Sequence, residues 1–412
     1  MTKYIPILFF LPLAVEIFKI SGKPVFITLS DFCFILIPII ILIGTKRIRN
    51  NVITIKSEML IYTVFVSILV TISIGIIGSI RLGGDIVPFI SSIRLMKNHV
   101  FFIIGIYLAL NIKSEDLLIV GRRISLVFII ILVFSDVYWG EFPRPRLGGL
   151  FFNLEVYGFP NSPSVFFTVP FAFLVNGSIC SKNKLFRLLY GSASIVLSVY
   201  IFATLSRAGI INWFLFILFM SISGSRGYKK QFIIIFSVMI IILSYISINF
   251  PELLTGLEAK FSKFDGNKDV SNGRFEIWTY AFDLFSQSPV FGLTFEPFSN
   301  YGRHDTPHNQ YIEILFKAGF LGFIFYFLPI AYSLFKLIIL NKKTLDDDVF
   351  EIRLIAIGVS IAMLITNNVQ PNLSYTYSGV MMFFLLGFTL CKATQQKLEV
   401  ENETNSPKHG KW

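Results

Sequence analysis

Residues 59–80 read MLIYTVFVSILVTISIGIIGSI, and no side chain in this stretch is charged. An α-helix needs about 20 predominantly apolar residues to cross the hydrocarbon core of a bilayer. The stretch therefore predicts a membrane-spanning helix, and similar apolar segments lie on both sides of it. We expect an all-α polytopic membrane protein with about twelve transmembrane helices. The expected spans are 4–18, 25–44, 59–80, 98–112, 124–139, 163–180, 188–205, 208–223, 232–250, 319–340, 354–367 and 375–390.

The composition of the whole chain agrees with this class. Of 412 residues, 54% are hydrophobic and 15% are charged, whereas soluble domains carry about 25% charged residues. The same figures exclude a disordered chain, and the long unbroken apolar segments exclude a membrane β-barrel, whose strands alternate with period two. The three cysteines lie far apart, so they indicate neither a disulfide framework nor a zinc site.

The basic residues set the expected orientation. We attribute the net charge of +11 to basic loops that fix the membrane topology, and not to a surface that binds nucleic acid. With the N-terminus in the cytoplasm, 22 of the 36 Lys and Arg residues fall in cytoplasmic segments and 14 on the other side. Six of these 14 belong to one long loop or adjoin it, where the positive-inside rule applies weakly, so the comparison is 22 against 8. We expect a single transmembrane domain over 1–392, a large periplasmic loop at 251–308 within it, and a disordered cytoplasmic tail at 393–412.

The junction between the seventh and eighth spans carries an isolated arginine. It reads Leu205-Ser206-Arg207-Ala208-Gly209, which leaves a minimal turn on the periplasmic side. An arginine at the membrane edge either extends its head group to the lipid phosphates or serves a function. We favour a function for Arg207, because it lies on the side of the membrane that is poor in positive charge.

The long loop contains an amphipathic helix that begins with a second arginine. Its apolar face is formed by aromatic residues at steps of 3, 4 and 3: Phe275, Trp278, Phe282 and Phe285. The helix would be capped by Asn272 or Gly273 and end before Pro289, and it would lie on the membrane surface or under a lid. Arg274 then falls in the first turn, where the helix dipole disfavours a cation. It is either a solvated surface residue or a ligand for a diphosphate, which the planar guanidinium binds well.

A histidine follows at the end of this loop, in His304-Asp305-Thr306-Pro307-His308-Asn309. We expect Thr306 as the N-cap and Pro307 as the first residue of a helix that enters the membrane. His308 would lie in the first turn, where the positive helix end favours a neutral imidazole that can act as a general base. A zinc site made of His304 and His308 is a weak alternative, because Pro307 prevents one helix from carrying both.

Further cations accompany these residues on the periplasmic side: Arg146 in the loop at 140–162, and Arg303 near His308. Together with Arg207 and Arg274 they predict an anionic ligand.

A possible calcium loop at 265–276 has Val270 where the glycine belongs. The nucleotide-binding and hydrolase motifs GxxxxGK[ST], GxGxxG, GxSxG and HExxH do not occur in the chain, so an ATPase or a hydrolase of those types is not expected.

In their order and spacing these residues resemble the O-antigen ligase and polymerase superfamily of bacterial envelope glycan assembly. The resemblance extends from about Arg146 to Gly322 and rests on short motifs: Arg146 to Gly149 with Asn161, Ser206 to Gly209, Gly273-Arg274 with Trp278, Pro289 and Gly292, His308 to Tyr311, and Gly319 with Gly322.

The resemblance implies a metal-independent glycosyltransferase with a multi-spanning fold of the C type, which needs no cofactor. The donor would be a glycan on undecaprenyl diphosphate in the bacterial inner membrane. By the same resemblance, Arg207 and Arg274 would hold the diphosphate, and His308 would activate or orient the acceptor hydroxyl. Arg146, Arg303 and Asn309 are expected to bind substrate.

Three functions stay open at this point. A polymerase would transfer the glycan to another lipid-linked repeat unit, together with a possible chain-length regulator protein. A ligase would transfer it to the lipid A core. We favour the polymerase because the stretch from Gly292 to His308 is short. A flippase or secondary transporter is the alternative of another class, against which the cluster of cations at one membrane face argues.

Overall fold

The computed structural model describes residues 14–20, 23–28, 55–139, 165–203, 206–224, 226–249, 273–301, 306–371, 373–374 and 376–405. The strands are β1 (Ala14–Ile20) and β2 (Lys23–Thr28). The α-helices are α1 (Ile55–Arg81), α2 (Val87–Asn111), α3 (Ser114–Trp139), α4 (Thr168–Cys180), α5 (Lys184–Ala203), α6 (Arg207–Ser223), α7 (Arg226–Asn249), α8 (Arg274–Ser286), α9 (Gln310–Ile339), α10 (Asp347–Thr366) and α11 (Thr376–Asn405). Short 3-10 helices lie at Phe298–Asn300 and Lys342–Thr344.

The described part of the chain is that of a helical membrane protein. Six of its helices, α1, α2, α5, α9, α10 and α11, are long and apolar enough to cross a membrane. Helices α4 and α6 are apolar but shorter. A multi-pass helical membrane protein is therefore confirmed, while the number of twelve spans stays a prediction.

One hairpin interrupts the helical pattern. Strands β1 and β2 pair antiparallel, with Ala14 opposite Thr28 and Ile20 opposite Lys23. They cover the end of the first expected span and the beginning of the second. Both segments are rich in β-branched and aromatic residues and flank the turn-forming pair Ser21-Gly22 in the sequence. The expectation of an all-α chain does not hold for these two short segments.

Two helices are longer than predicted. Helix α2 begins at Val87, with Pro88 in its first turn, and so includes Lys97, which is buried. The predicted span at 98–112 is therefore the second half of a longer helix. Helix α11 continues to Asn405, so residues 393–405 are helical instead of disordered. An ion pair between Lys397 and Glu401, one turn apart with 3.5 Å between the charged atoms, supports this extension.

The core is centred on α11 and its contact with α2. Glycines allow the two backbones to approach closely: a Cβ on Gly105 would lie 2.3 Å from the carbonyl oxygen of Phe384, and one on Gly387 would lie 2.1 Å from that of Phe102. Close helix packing through small residues is typical of membrane proteins. Larger side chains at these glycines would force α2 and α11 apart.

A second, smaller apolar cluster holds α8 against the beginning of α9. It consists of Ile277, Ala281, Leu284, Leu293, Phe298, Ile312 and Phe316. This cluster fixes the position of the helix that starts with Arg274 relative to the helix that follows His308.

Candidate functional site

Arg207 is the first residue of α6. Helix α5 ends at Ala203, so the short junction predicted from the sequence is confirmed. The hydroxyl of Ser206 caps α6 by accepting a hydrogen bond from the Gly209 N–H, at 3.2 Å. Arg207 is half-buried, and no carboxylate in the described part of the chain pairs with it. A cation at the positive end of a helix dipole is unfavourable unless an anion is bound nearby.

Arg274 is the first residue of α8, as predicted. Gly273 is the N-cap and has φ 78°, a left-handed conformation that glycine adopts without strain. Arg274 thus has the same position in its helix as Arg207 has in α6. Both guanidinium groups are attached at helix N-termini, where anions bind.

Helix α8 packs on the protein through a face other than its predicted aromatic one. The residues it buries are Ile277, Ala281 and Leu284, whereas Phe275 and Phe282 are exposed, at 66% and 47%. The aliphatic side faces the protein because it packs on Ile312 and Phe316 in the smaller apolar cluster. Trp278 and Phe285 lie at the border, and the exposed aromatic residues face outward.

His308 lies just before α9 and not within its first turn. The N-cap of α9 is Asn309, whose side-chain oxygen accepts from the N–H groups of Tyr311 (2.9 Å) and Ile312 (3.2 Å). The prediction of Thr306 as N-cap and Pro307 as first helical residue was wrong. Asn309 displaces Thr306 because it caps two N–H groups at once, and the Thr306 hydroxyl accepts from the His308 N–H instead, at 3.3 Å.

His308 also has an unusual backbone. Its φ is 54°, a left-handed conformation that costs a non-glycine residue about 1 kcal/mol or more. Such strain clusters at active sites and ligand-binding segments. The half-buried imidazole still precedes the positive end of α9.

Hydrogen bonds connect the starts of α8 and α9 to the end of α10. The indole N–H of Trp278, one turn after Arg274, donates to the carbonyl of Pro307 at 2.8 Å. The N–H of Gln310 donates to the carbonyl of Asn367 at 2.9 Å. The Asn309 amide donates to the carbonyl of Asn368 at 3.0 Å. The His308 segment is therefore held between α8 and α10.

The same end of α10 reaches the helix that carries Arg207. The hydroxyl of Thr366 lies 3.4 Å from the side-chain oxygen of Asn212 in α6, while its nearest acceptor is the Ala362 carbonyl of its own helix, at 3.0 Å. The structure thus connects the starts of α6, α8 and α9, and with them Arg207, Arg274 and His308, through one end of α10. We call this end of the bundle, where α6, α8 and α9 begin and α10 finishes, the site end.

A pair of residues at the site end was missed by the sequence analysis. Gln310 is fully buried and exchanges hydrogen bonds with Ser374, in the connection between α10 and α11. Its amide donates to the Ser374 hydroxyl at 3.1 Å, and the Ser374 N–H donates to its side-chain oxygen at 2.9 Å. No local signal points to this clamp, because its two halves are far apart in the sequence.

Helix α9 is broken at Gly319, which has φ 64° and ψ −169°. The segment after α8 fills the break with four backbone hydrogen bonds. The N–H groups of Leu293 and Phe295 donate to the carbonyls of Phe316 and Lys317, both at 2.8 Å. In return, the N–H groups of residues 320 and 321 donate to the carbonyls of residues 289 and 290, at 2.9 and 3.1 Å.

Two glycines make this exchange possible. A Cβ on Gly292, which has φ 62°, would lie 2.6 Å from the Gly319 nitrogen, and a Cβ on Gly319 would lie 2.2 Å from the carbonyl oxygen of Val290. Two of the motif glycines, Gly292 and Gly319, thus hold the segment after α8 and α9 together. We call this arrangement the glycine stitch.

Glu296, the buried carboxylate of the same segment, already has partners within the protein. Glu296 accepts a hydrogen bond from the Tyr301 hydroxyl and lies 3.9 Å from the Arg81 guanidinium. Burial, and then the bond to Glu296, raises the pKa of Tyr301 to about 12, so the hydroxyl stays protonated and donates. Glu296 is therefore held by its neighbours.

Several predicted residues fall outside the described part of the chain: Arg146, Arg303, His304 and the possible calcium loop before residue 273. Asn309 is described, and both ends of its amide already bind backbone groups. Among the described residues, no group of three or more His, Cys, Asp and Glu side chains could hold a metal ion.

Residues 192–327 match a family model described as O-Antigen ligase. The match begins within α5, continues into α9, and contains Arg207, Arg274 and His308. No curated protein matches the chain. The matched segment includes the starts of α6, α8 and α9, so this part of the chain is similar to the O-antigen ligase family.

Proposed function

We propose that the protein is a glycosyltransferase of the bacterial inner membrane that joins oligosaccharide repeat units carried on undecaprenyl diphosphate. The reaction would take place on the periplasmic face, where the orientation predicted from the basic residues puts the site end. The observation that supports the proposal is that Arg207 and Arg274 begin α6 and α8 and His308 precedes α9, all within a segment that matches an O-antigen ligase family model.

Arg207 and Arg274 would hold the diphosphate of the donor. Each begins a helix, so a bound diphosphate would meet a guanidinium group and the positive end of a helix dipole at both positions. When the bond between the anomeric carbon and the diphosphate oxygen breaks, negative charge develops on the leaving group. The two arginines stabilise that charge where it forms.

His308 would accept the proton of the acceptor hydroxyl. The hydroxyl oxygen attacks the anomeric carbon, the new glycosidic bond forms, and undecaprenyl diphosphate leaves. The proton passes to the imidazole, and the diphosphate keeps the electron pair of the broken bond. This scheme uses neither a nucleotide sugar nor a metal ion.

The acceptor decides between polymerase and ligase. We favour the polymerase, since the segment between the glycine stitch and His308 is short, while the description of the matching family favours the ligase.

To test this choice, the gene is deleted in its own strain, and the surface glycans are separated on a gel. Lipid A core with a single repeat unit supports the polymerase, and bare core with accumulated lipid-linked polymer supports the ligase. Unchanged glycans would contradict both.

A flippase or secondary transporter is the second candidate. It is favoured by two ionisable residues buried in α2, Lys97 and His99, since such residues within spans often mark substrate or ion pathways. In vesicles that contain the purified protein and lipid-linked repeat units, this candidate predicts movement of the glycan across the bilayer without elongation. Elongation or transfer in detergent, where no second compartment exists, would contradict it.

A further inference from the structure

Asn367 caps the C-terminal end of α10 and is fully buried. Its backbone groups are satisfied: the N–H donates to the Met363 carbonyl at 2.9 Å, and the carbonyl accepts from the Gln310 N–H. In the described part of the chain neither its side-chain oxygen nor its side-chain nitrogen makes a hydrogen bond. The Tyr311 hydroxyl donates to the Leu364 carbonyl, at 2.7 Å, and lies next to this amide, but not within hydrogen-bond geometry of it.

The fold itself does not require asparagine at this position. The backbone of Asn367 has φ −59° and ψ −21°, a right-handed helical conformation that any residue adopts. Burying a polar side chain without partners costs free energy, which leucine of similar shape would not incur. A buried amide with no structural task indicates a hydrogen-bond partner that arrives with a ligand.

Asn367 lies at the centre of the site end. Its carbonyl holds the segment that carries His308, and the preceding residue, Thr366, contacts Asn212 of α6. The backbone of Asn367 is therefore bonded to the segment that follows His308, and its neighbour Thr366 contacts α6.

Resting on the proposed function, we infer that the Asn367 amide binds a sugar hydroxyl of the glycan. The amide offers a donor and an acceptor, and a hydroxyl is also both. An ionised diphosphate only accepts, so it would leave the Asn367 oxygen without a partner. The ligand of Asn367 is thus the hydroxyl-bearing part of the substrate, while the arginines bind its diphosphate.

Access to the amide requires a local movement. The partly exposed side chain of Tyr311 lies beside Asn367 and is held by its bond to Leu364. Rotation of this side chain uncovers the amide when the glycan arrives. The strained backbone of His308, three residues earlier, belongs to the same segment.

Asn176 provides a matched control. It is also a fully buried asparagine, but its amide is satisfied by Arg122, Tyr228 and Glu351, with donor–acceptor distances from 2.6 to 2.9 Å. Replacing it with leucine leaves those partners unsatisfied and destabilises the fold. Asn367→Leu removes only an unsatisfied group, so the melting temperature stays the same or rises.

The test measures binding of two lipids to the purified protein: undecaprenyl diphosphate, and the same lipid carrying one repeat unit. In Asn367→Leu the Kd for the glycan-bearing lipid should rise about tenfold, the equivalent of about 1.4 kcal/mol. The Kd for bare undecaprenyl diphosphate should change less than about twofold, because the arginines still hold the diphosphate.

Two results would overturn the inference alone. One is an unchanged Kd for the glycan-bearing lipid in Asn367→Leu. The other is a fall in melting temperature as large as that of Asn176→Leu, which would assign Asn367 a structural task. Wild-type protein that binds neither lipid would instead overturn the proposed function.

Discussion

The polar side chains at the two ends of α10 differ in how far they are hydrogen-bonded within the protein. At the end where α10 begins, Asn176 of α4 joins Arg122 of α3, Tyr228 of α7 and Glu351 of α10 in one buried network. Sixteen residues later, about 24 Å along the helix axis, lies the site end. Within the described part of the chain, no carboxylate pairs with Arg207 there and the Asn367 amide makes no hydrogen bond, and His308 has a strained backbone. The polar groups of the first end bind one another, whereas we propose that those of the second end bind a ligand. We call the first end the closed end.

We expect the two ends to face opposite compartments, with residues 268 and 397 on opposite sides, because the basic short segments lie with the closed end. Reporter fusions at Lys268 and Lys397 should give opposite signals, the first periplasmic and the second cytoplasmic. A cytoplasmic signal at Lys268 would contradict the periplasmic assignment of the site end.

His308→Ala should lower turnover roughly 100- to 10,000-fold, the usual value of a positioned general base. Donor binding should stay nearly normal, since the arginines hold the diphosphate. The control is His304→Ala, which should have a mild effect. Turnover and donor affinity are measured on purified protein with lipid-linked donor. Near-normal turnover in His308→Ala would remove the base assignment.

Arg207→Ala and Arg274→Ala should each lower turnover roughly 100- to 1,000-fold, comparable to the loss of one preorganised donor at a developing charge. Lysine should restore little activity, because it cannot form two parallel bonds to a phosphate. The amount of protein in the membrane should not change. If both lysine variants were fully active, a diffuse electrostatic attraction would replace the specific contacts.

At the closed end, replacing a polar residue with alanine should lower the free energy of unfolding and leave turnover nearly unchanged. Asn176→Ala leaves the half-buried Arg122 and Glu351 without the amide that bridges them, and losing a hydrogen bond to a charged group costs about 1.5–3 kcal/mol. We expect a lower melting temperature with nearly normal turnover per folded molecule. Loss of turnover without loss of stability would show that the closed end is not merely structural.

Asn309→Ala should cost about 1 kcal/mol of stability, the usual value of a helix cap. Asn309→Ser keeps the cap but loses the bond to the Asn368 carbonyl. If Asn309 binds substrate, as the sequence analysis predicts, both variants should lose activity. Thermal melts and turnover, measured on the same samples, separate the two roles, and full activity in Asn309→Ser would leave Asn309 with the cap alone.

Local signals in the sequence predicted much of the site end. The Ser206-Arg207 junction and the start of α8 at Gly273-Arg274 were correct, because a cap and the first helical turn depend on neighbours in sequence. At the start of α9 the sequence offers two good N-caps, Thr306 and Asn309. The structure uses Asn309, so the prediction of Thr306 was wrong.

Contacts between distant segments could not be predicted in this way. The aromatic spacing identified α8 as a helix, but not which of its sides faces Ile312 and Phe316. The bonds from Gln310 to Ser374 and from Thr366 to Asn212 depend on how the helices pack. Asn367 has no motif, and only its burial without partners makes it a candidate.

The glycine stitch has a consequence for the order in which the protein is assembled. A helix that enters the membrane normally satisfies its own backbone, but α9 is broken at Gly319 and borrows partners from residues 289–295. In lipid each unsatisfied backbone group costs several kcal/mol. Residues 289–295 precede α9 in the chain, so they are synthesised first and must be in place when it settles. Insertion of α9 and completion of the site end are therefore one event, and a delay in folding the segment after α8 would leave both unfinished.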